Sequence, residues 1–209
     1  MSAMLLKKTF LYKIWLKIRI LQANAKIIKN WYKSGQPAPP PHIVKFKEIK
    51  RCRKINNASM LVETGTYKGA MLDSCKNLFD KLYSIELDKK LFEEAKEKYK
   101  DDPKVVNICG DSGVELKKLM DKIDKPCLFW LDGHYSGGIT AKADIDTPIV
   151  EELKAVFEHP IKNHVILIDD ARLFVGVDDY PTIEGLKEIV KNEAPDKNLV
   201  VNCDIIQIF

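Results

Sequence analysis

Five apolar runs in this chain each end on an acidic residue, and a helical segment separates each run from the next. "SMLVETG" ends on Glu63, "KLYSIELD" on Glu86, "KVVNICGDS" on Asp111, "PCLFWLDG" on Asp132, and "HVILIDDA" on Asp169 and Asp170. The intervening segments, such as "KKLFEEAKEKYKDD" and "DTPIVEELKAVFEH", carry apolar residues at helical spacing. Strict alternation of strand and helix predicts an α/β domain with a parallel sheet covered on both faces. The closing "NLVVNCDIIQIF" fits two short strands. In such sheets a ligand binds at the carboxyl ends of the strands, near the point where strand order reverses. Five strands delivering carboxylates to one edge exceed what solvation alone explains.

The loop after the first run, "VETGTYKGA", contains Glu63, Gly65 and Gly69. Gly65 permits a tight turn from strand to helix, and Gly69 is expected to let the helix approach the strand closely. The loop lacks the third glycine of a dinucleotide fingerprint and the Gly-Lys-Ser/Thr phosphate cradle, which argues against a pyrophosphate at this turn. Glu86 follows Gly65 by 21 residues, where a carboxylate can accept from ribose hydroxyls. Asp88 opens the next helix and reads as its N-cap. Asp111 has two readings: an acceptor for an adenine amino group, or a helix cap.

Residues 1–47 hold ten Lys/Arg and no acidic residue, leaving 24 basic against 30 acidic residues in the remainder. A basic head is therefore joined to a mildly acidic body. The sequence divides at residues 1–42, a basic helix with the proline-rich connector "GQPAPPPH", and 43–209, the α/β body. In the head, Met4, Leu11, Ile14, Trp15, Ile18 and Leu21 share one helical face, and Leu5, Leu16, Ile20 and Ile27 the opposite one. Lysines interrupt it too often for a membrane span, and no cleavage-site pattern marks a secretory signal. Two readings remain open: peripheral contact with an anionic membrane, or packing on the body or on a second copy in a homo-oligomer. No base-reading motif accompanies the charge, so no nucleic-acid partner is expected. Five cysteines without a CxxC pair read as reduced core thiols, which fits a cytoplasmic chain, in contact with the inner membrane face if the head binds lipid.

Taken together, "LVETGTYKG", "YSIELD" and "NICGDS" resemble the first three motifs of the class I S-adenosylmethionine-dependent methyltransferases, in order and at suitable spacing over residues 58–209. The resemblance implies a Rossmann-like, doubly wound, mostly parallel seven-stranded sheet with an antiparallel C-terminal strand. It also implies that Glu63 and the turn Gly65-Thr66-Tyr67-Lys68-Gly69 hold the methionine end of S-adenosylmethionine, Glu86 the ribose, and Asp111 with Ser112 the adenine side.

The acids after the fourth and fifth strands resemble those of the macrocin O-methyltransferase branch, which is metal-assisted. That resemblance implies Asp132, Asp169 and Asp170 around Mg²⁺, with a hydroxylated small molecule or glycan as acceptor. The branch has an acid where this chain has His134, which makes His134 an alternative general base beside Asp132. "SGGITAKADIDTP" reads as a mobile polar loop near the acceptor. Two other classes stay open: a metal-dependent hydroxylase or sugar-modifying enzyme on the same fold, and a non-catalytic membrane-surface binding module.

Overall fold

The computed structural model describes residues 3–133 and 147–209. A 31-residue helix α1 (Ala3–Lys33) precedes α2 (His42–Cys52). The body then runs β1 (Met60–Thr64), α3 (Ala70–Cys75), β2 (Lys81–Glu86), α4 (Lys89–Tyr99), β3 (Val105–Cys109), α5 (Ser112–Met120) and β4 (Cys127–Leu131). It ends with α6 (Ile149–Glu158), β5 (Val165–Ile168), a 3₁₀ turn (Ala171–Leu173), α7 (Ile183–Glu193), β6 (Leu199–Asn202) and β7 (Ile205–Ile208).

The seven strands form one sheet in the order β3-β2-β1-β4-β5-β7-β6. β7 lies antiparallel to both neighbours, and the pairs from β3 through β5 are parallel. Strand order reverses between β1 and β4, so the edge beyond Thr64 and Leu131 is the switch point. The Rossmann-like architecture expected from the sequence is the one observed.

β4 shows why its run is wholly apolar. Cys127, Phe129 and Leu131 belong to a core under α5, α6 and α7, whereas Leu128 and Trp130 belong to a second core under α2, α3 and α4. Alternate side chains of one strand thus enter opposite apolar layers. Three of the five cysteines, Cys52, Cys75 and Cys127, are buried and free. Burial pushes the Cys75 and Cys127 thiols up to about 12 and Cys52 to about 11, as expected of inert core thiols. Cys109 departs from that reading, since it is exposed at the carboxyl end of β3.

The helix after β1 is the short α3. Tyr67 and Gly69 both adopt left-handed backbone, so no helix begins before Ala70. In α1, residues 11–30 are exposed apart from the half-buried Asn24 and Ile28, and burial begins at Trp31. The Trp31 indole N–H donates to the Pro37 carbonyl at 2.8 Å and folds the connector back on the helix end. Among the described residues no helix is long and apolar enough to cross a membrane.

Candidate active site

Backbone contact between loops builds the switch-point edge. The Asp132 N–H donates to both the carbonyl (3.1 Å) and the hydroxyl (3.2 Å) of Thr64, stitching the end of β4 to that of β1. Gly65 has φ +80°, and a Cβ there would lie 2.4 Å from the Asp132 carbonyl oxygen. A Cβ at Gly133 would crowd the hydroxyls of Thr64 and Ser112 at 3.0 and 3.1 Å. Two glycines therefore let the ends of β1 and β4 and the start of α5 come together. Gly69 serves a different neighbour from the one expected. Its missing Cβ makes room for Tyr99 of α4 rather than for a strand, and the Tyr99 hydroxyl donates to the Gly69 carbonyl at 2.8 Å.

Glu63 and Ser84 are register partners on β1 and β2. The Ser84 hydroxyl donates to Glu63 Oε2 at 2.6 Å, and the Thr66 hydroxyl lies 2.6 Å from Ser84 Oγ. All three are buried. Burial pushes the Glu63 carboxyl up to about 8; Ser84 opposes the shift and Glu86 adds to it. At neutral pH Glu63 is thus a protonated acid embedded in a hydroxyl chain.

Glu86 sits at the end of β2 with both oxygens engaged. One accepts the Tyr67 backbone N–H at 2.8 Å, the other that of Asp88 at 2.9 Å. A carboxylate offers about four acceptor positions, so each oxygen keeps a lone pair for a ligand hydroxyl. Asp88 caps α4, accepting from the N–H groups of Lys90 and Leu91. Asp111 caps α5 by accepting from Gly113 at 2.8 Å, which bears out its capping reading and leaves a ligand role for its other oxygen open. Ser112 is buried beside Gly133. The exposed, left-handed Tyr67 enters the site through its backbone N–H.

On the other side of β4, Asp169 and Asp170 meet cations of the chain itself. The Lys45 ammonium, from α2, contacts Asp169 Oδ2 and lies 3.6 Å from Asp170 Oδ1. Asp169 Oδ1 accepts the Asp170 backbone N–H at 2.9 Å. The Arg172 guanidinium donates to Asp170 at 2.8 Å and also reaches Asp204. Burial disfavours the Lys45 charge, but Asp169, with smaller contributions from Asp132 and Asp170, outweighs burial and holds the ammonium above the usual lysine range. Asp169 also borders a narrow gap of about 10 Å³, room for about one water, with Leu131, Gly133, Thr147, Glu152 and Tyr180. His134, and Ser136 to Asp146 of the polar loop, lie outside the described residues.

Of the acids expected around Mg²⁺, Asp169 and Asp170 meet at a lysine instead. Among the described residues no group of three or more His, Cys, Asp or Glu side chains is arranged to hold a metal ion. The donor set as folded does not fit Mg²⁺, which needs near-octahedral oxygen ligation, because the Lys45 ammonium already stands against Asp169 and Asp170 where the ion would have to sit. Sequence reasoning missed Lys45. Its signal lay in "KFKEIKRC", where position 45 falls one turn before the buried Glu48 and Ile49 and so on the inward face of α2.

No family model and no curated protein matches this chain. Solved structures do. A methyltransferase from Podospora anserina bound to S-adenosylhomocysteine superposes with TM-score 0.57 at 15% identity, over 92% of this chain and 94% of that one. The O-methyltransferase TomG from Streptomyces achromogenes, in complex with S-adenosylmethionine, gives 0.54 at 14% identity, over 89% and 87%. An O-methyltransferase from Bacillus cereus, in complex with S-adenosylhomocysteine, gives 0.54 at 14%, over 90% and 89%. At these identities the likeness establishes the fold: the chain has the Rossmann-like architecture of class I methyltransferases.

Proposed function

We propose that this chain is an S-adenosylmethionine-dependent methyltransferase acting on a hydroxyl of a small molecule or glycan. The observation that carries the reading is Glu86. It is a buried acid at the end of the strand beside the switch point, fixed by two backbone N–H groups and still able to accept from a diol. The absence of a phosphate cradle in the neighbouring loop suits a nucleoside without phosphates.

The cofactor supplies an already activated methyl group. The chain must hold the nucleoside, align the acceptor and take its proton. Glu86 receives the ribose, Asp111 and Ser112 border the adenine side, and the Gly65–Gly69 turn with Glu63 borders the methionine end. Asp132 and His134 are the candidates for orienting and deprotonating the acceptor. The hydroxylase alternative depends on a metal and shares the poor fit of the donor set. The attachment role of α1 keeps its own support in the exposed apolar and basic surface of residues 11–30. A basic head resting on an anionic membrane surface or on a second copy is compatible with catalysis by the body.

Isothermal calorimetry with S-adenosylhomocysteine tests the reading. One site per chain is expected, and no binding would reject it.

A further inference from the structure

Of the three acids that a metal-assisted reading would gather around an ion, Asp169 and Asp170 both face one lysine, and the charge of Asp132 acts on it as well. Lys45 belongs to α2, outside the strand ends that build the rest of the site, yet its ammonium contacts Asp169 and stands 3.6 Å from Asp170. Asp169 is 2% exposed and commits its remaining oxygen to the Asp170 N–H. Arg172 supplies a second positive group, shared between Asp170 and Asp204. A divalent ion entering here would have to evict the ammonium from Asp169 and leave it half-buried without its partner, which is strongly disfavoured.

We infer that Lys45 is the resident cation of the acceptor edge and stands where a metal would, so that the site accepts its substrate without a divalent ion. As a positioning residue, Lys45 fixes the Asp169 carboxylate at the end of β5 and thereby one wall of the narrow gap that Thr147 and Tyr180 also line. The inference rests on the methyl-transfer reading for its acceptor side, while the charge arrangement stands independently of it.

The test titrates Mn²⁺, as a paramagnetic probe for hard divalent ions, into the full chain and into Lys45→Met and Lys45→Arg. The wild type and Lys45→Arg are expected to bind no Mn²⁺ stoichiometrically up to about 1 mM, the weak end of carboxylate-site affinities. Lys45→Met, which keeps most of the length and loses the charge, is expected to gain one Mn²⁺ site at least about tenfold tighter than that limit. Stoichiometric micromolar binding by the wild type overturns the proposal, and so does a folded Lys45→Met that gains no site. If Lys45→Met fails to fold, Lys45→Gln takes its place. S-adenosylhomocysteine calorimetry on the same wild-type sample, with and without EDTA, keeps the two ideas apart. Lost cofactor binding in both conditions counts against the methyltransferase reading, whereas binding that requires the removed metal counts against Lys45.

Discussion

Ser84 and Glu63 face each other across the β1–β2 pair, hydroxyl to carboxylate at 2.6 Å, with no exposure to solvent worth a hydrogen bond to water. An acid placed there is stable in the fold mainly as the neutral form, and this makes folding pH-dependent. Burial raises the Glu63 pKa from 4.5 to about 8. Between those values the folded chain binds a proton that the unfolded chain has released, so stability falls as pH rises, by at most about 1.4 kcal/mol per pH unit from this group. The Glu63→Gln variant carries no such proton. Its stability relative to wild type should therefore climb from pH 5 to pH 8 and level off above. Urea unfolding midpoints across that range check this, and parallel wild-type and variant curves would rule it out.

Gly65 joins two constraints that a pair of substitutions separates. Alanine at Gly65 meets both the left-handed backbone and the Asp132 carbonyl at 2.4 Å, whereas alanine at Gly35 meets a left-handed φ of +82° with nothing within 4 Å. Gly35→Ala should cost only the backbone penalty, about 1–2 kcal/mol. Gly65→Ala should cost clearly more and weaken S-adenosylhomocysteine binding, because β1 and β4 must part. Equal losses of stability in the two variants would mean that the approach to Asp132 carries no energetic weight.

The alternation of strands and helices was legible because each half-turn of sequence pattern reports burial. β4 could be read as a buried strand from its apolar run and the tail as two short strands, whereas the antiparallel direction of the last strand followed only from the family resemblance. The acids at strand ends were legible for the same reason, since each interrupts an apolar run at the point where the strand leaves the core. What each acid touches was not. Asp111 and Asp88 look alike as strand-end acids and helix caps, and both proved to cap. Lys45 was hidden because a lysine in a basic stretch looks solvated, and only the docking of α2 on the sheet brings it to Asp169, 124 residues away. Local spacing carries no record of such a contact.

The exposed course of α1 makes the head separable. Its side chains from residue 11 to 30 contribute little to the body, and the attachment begins at the 5%-exposed Trp31. Deleting residues 1–29 should leave the melting temperature of the body within about 2 °C, less than a 1 kcal/mol change produces in a domain of this size. Trp31→Ala should be felt as a core truncation, about 3 kcal/mol at the low end for a buried tryptophan. Flotation with phosphatidylserine vesicles and sedimentation equilibrium then report which property leaves with the head. Retention of both lipid binding and self-association by the truncated chain would end the attachment role.

Glu86 gives the sharpest separation of cofactor contact from loop architecture. Its oxygens hold the Tyr67 and Asp88 N–H groups, so glutamine at this position keeps one acceptor and turns the other into a donor facing an N–H. Charged hydrogen bonds of this kind contribute about 1.5–3 kcal/mol each, so S-adenosylhomocysteine affinity in Glu86→Gln should drop by about tenfold or more. Asp88→Asn is the matched control. It lies two residues away, loses the same charge and keeps its N-cap, because asparagine ranks with aspartate there. Calorimetry should therefore find Asp88→Asn close to wild type. If both variants bind like wild type, Glu86 holds only its own loop and the ribose lies elsewhere. If both weaken equally, the field of the acidic edge matters more than any single contact.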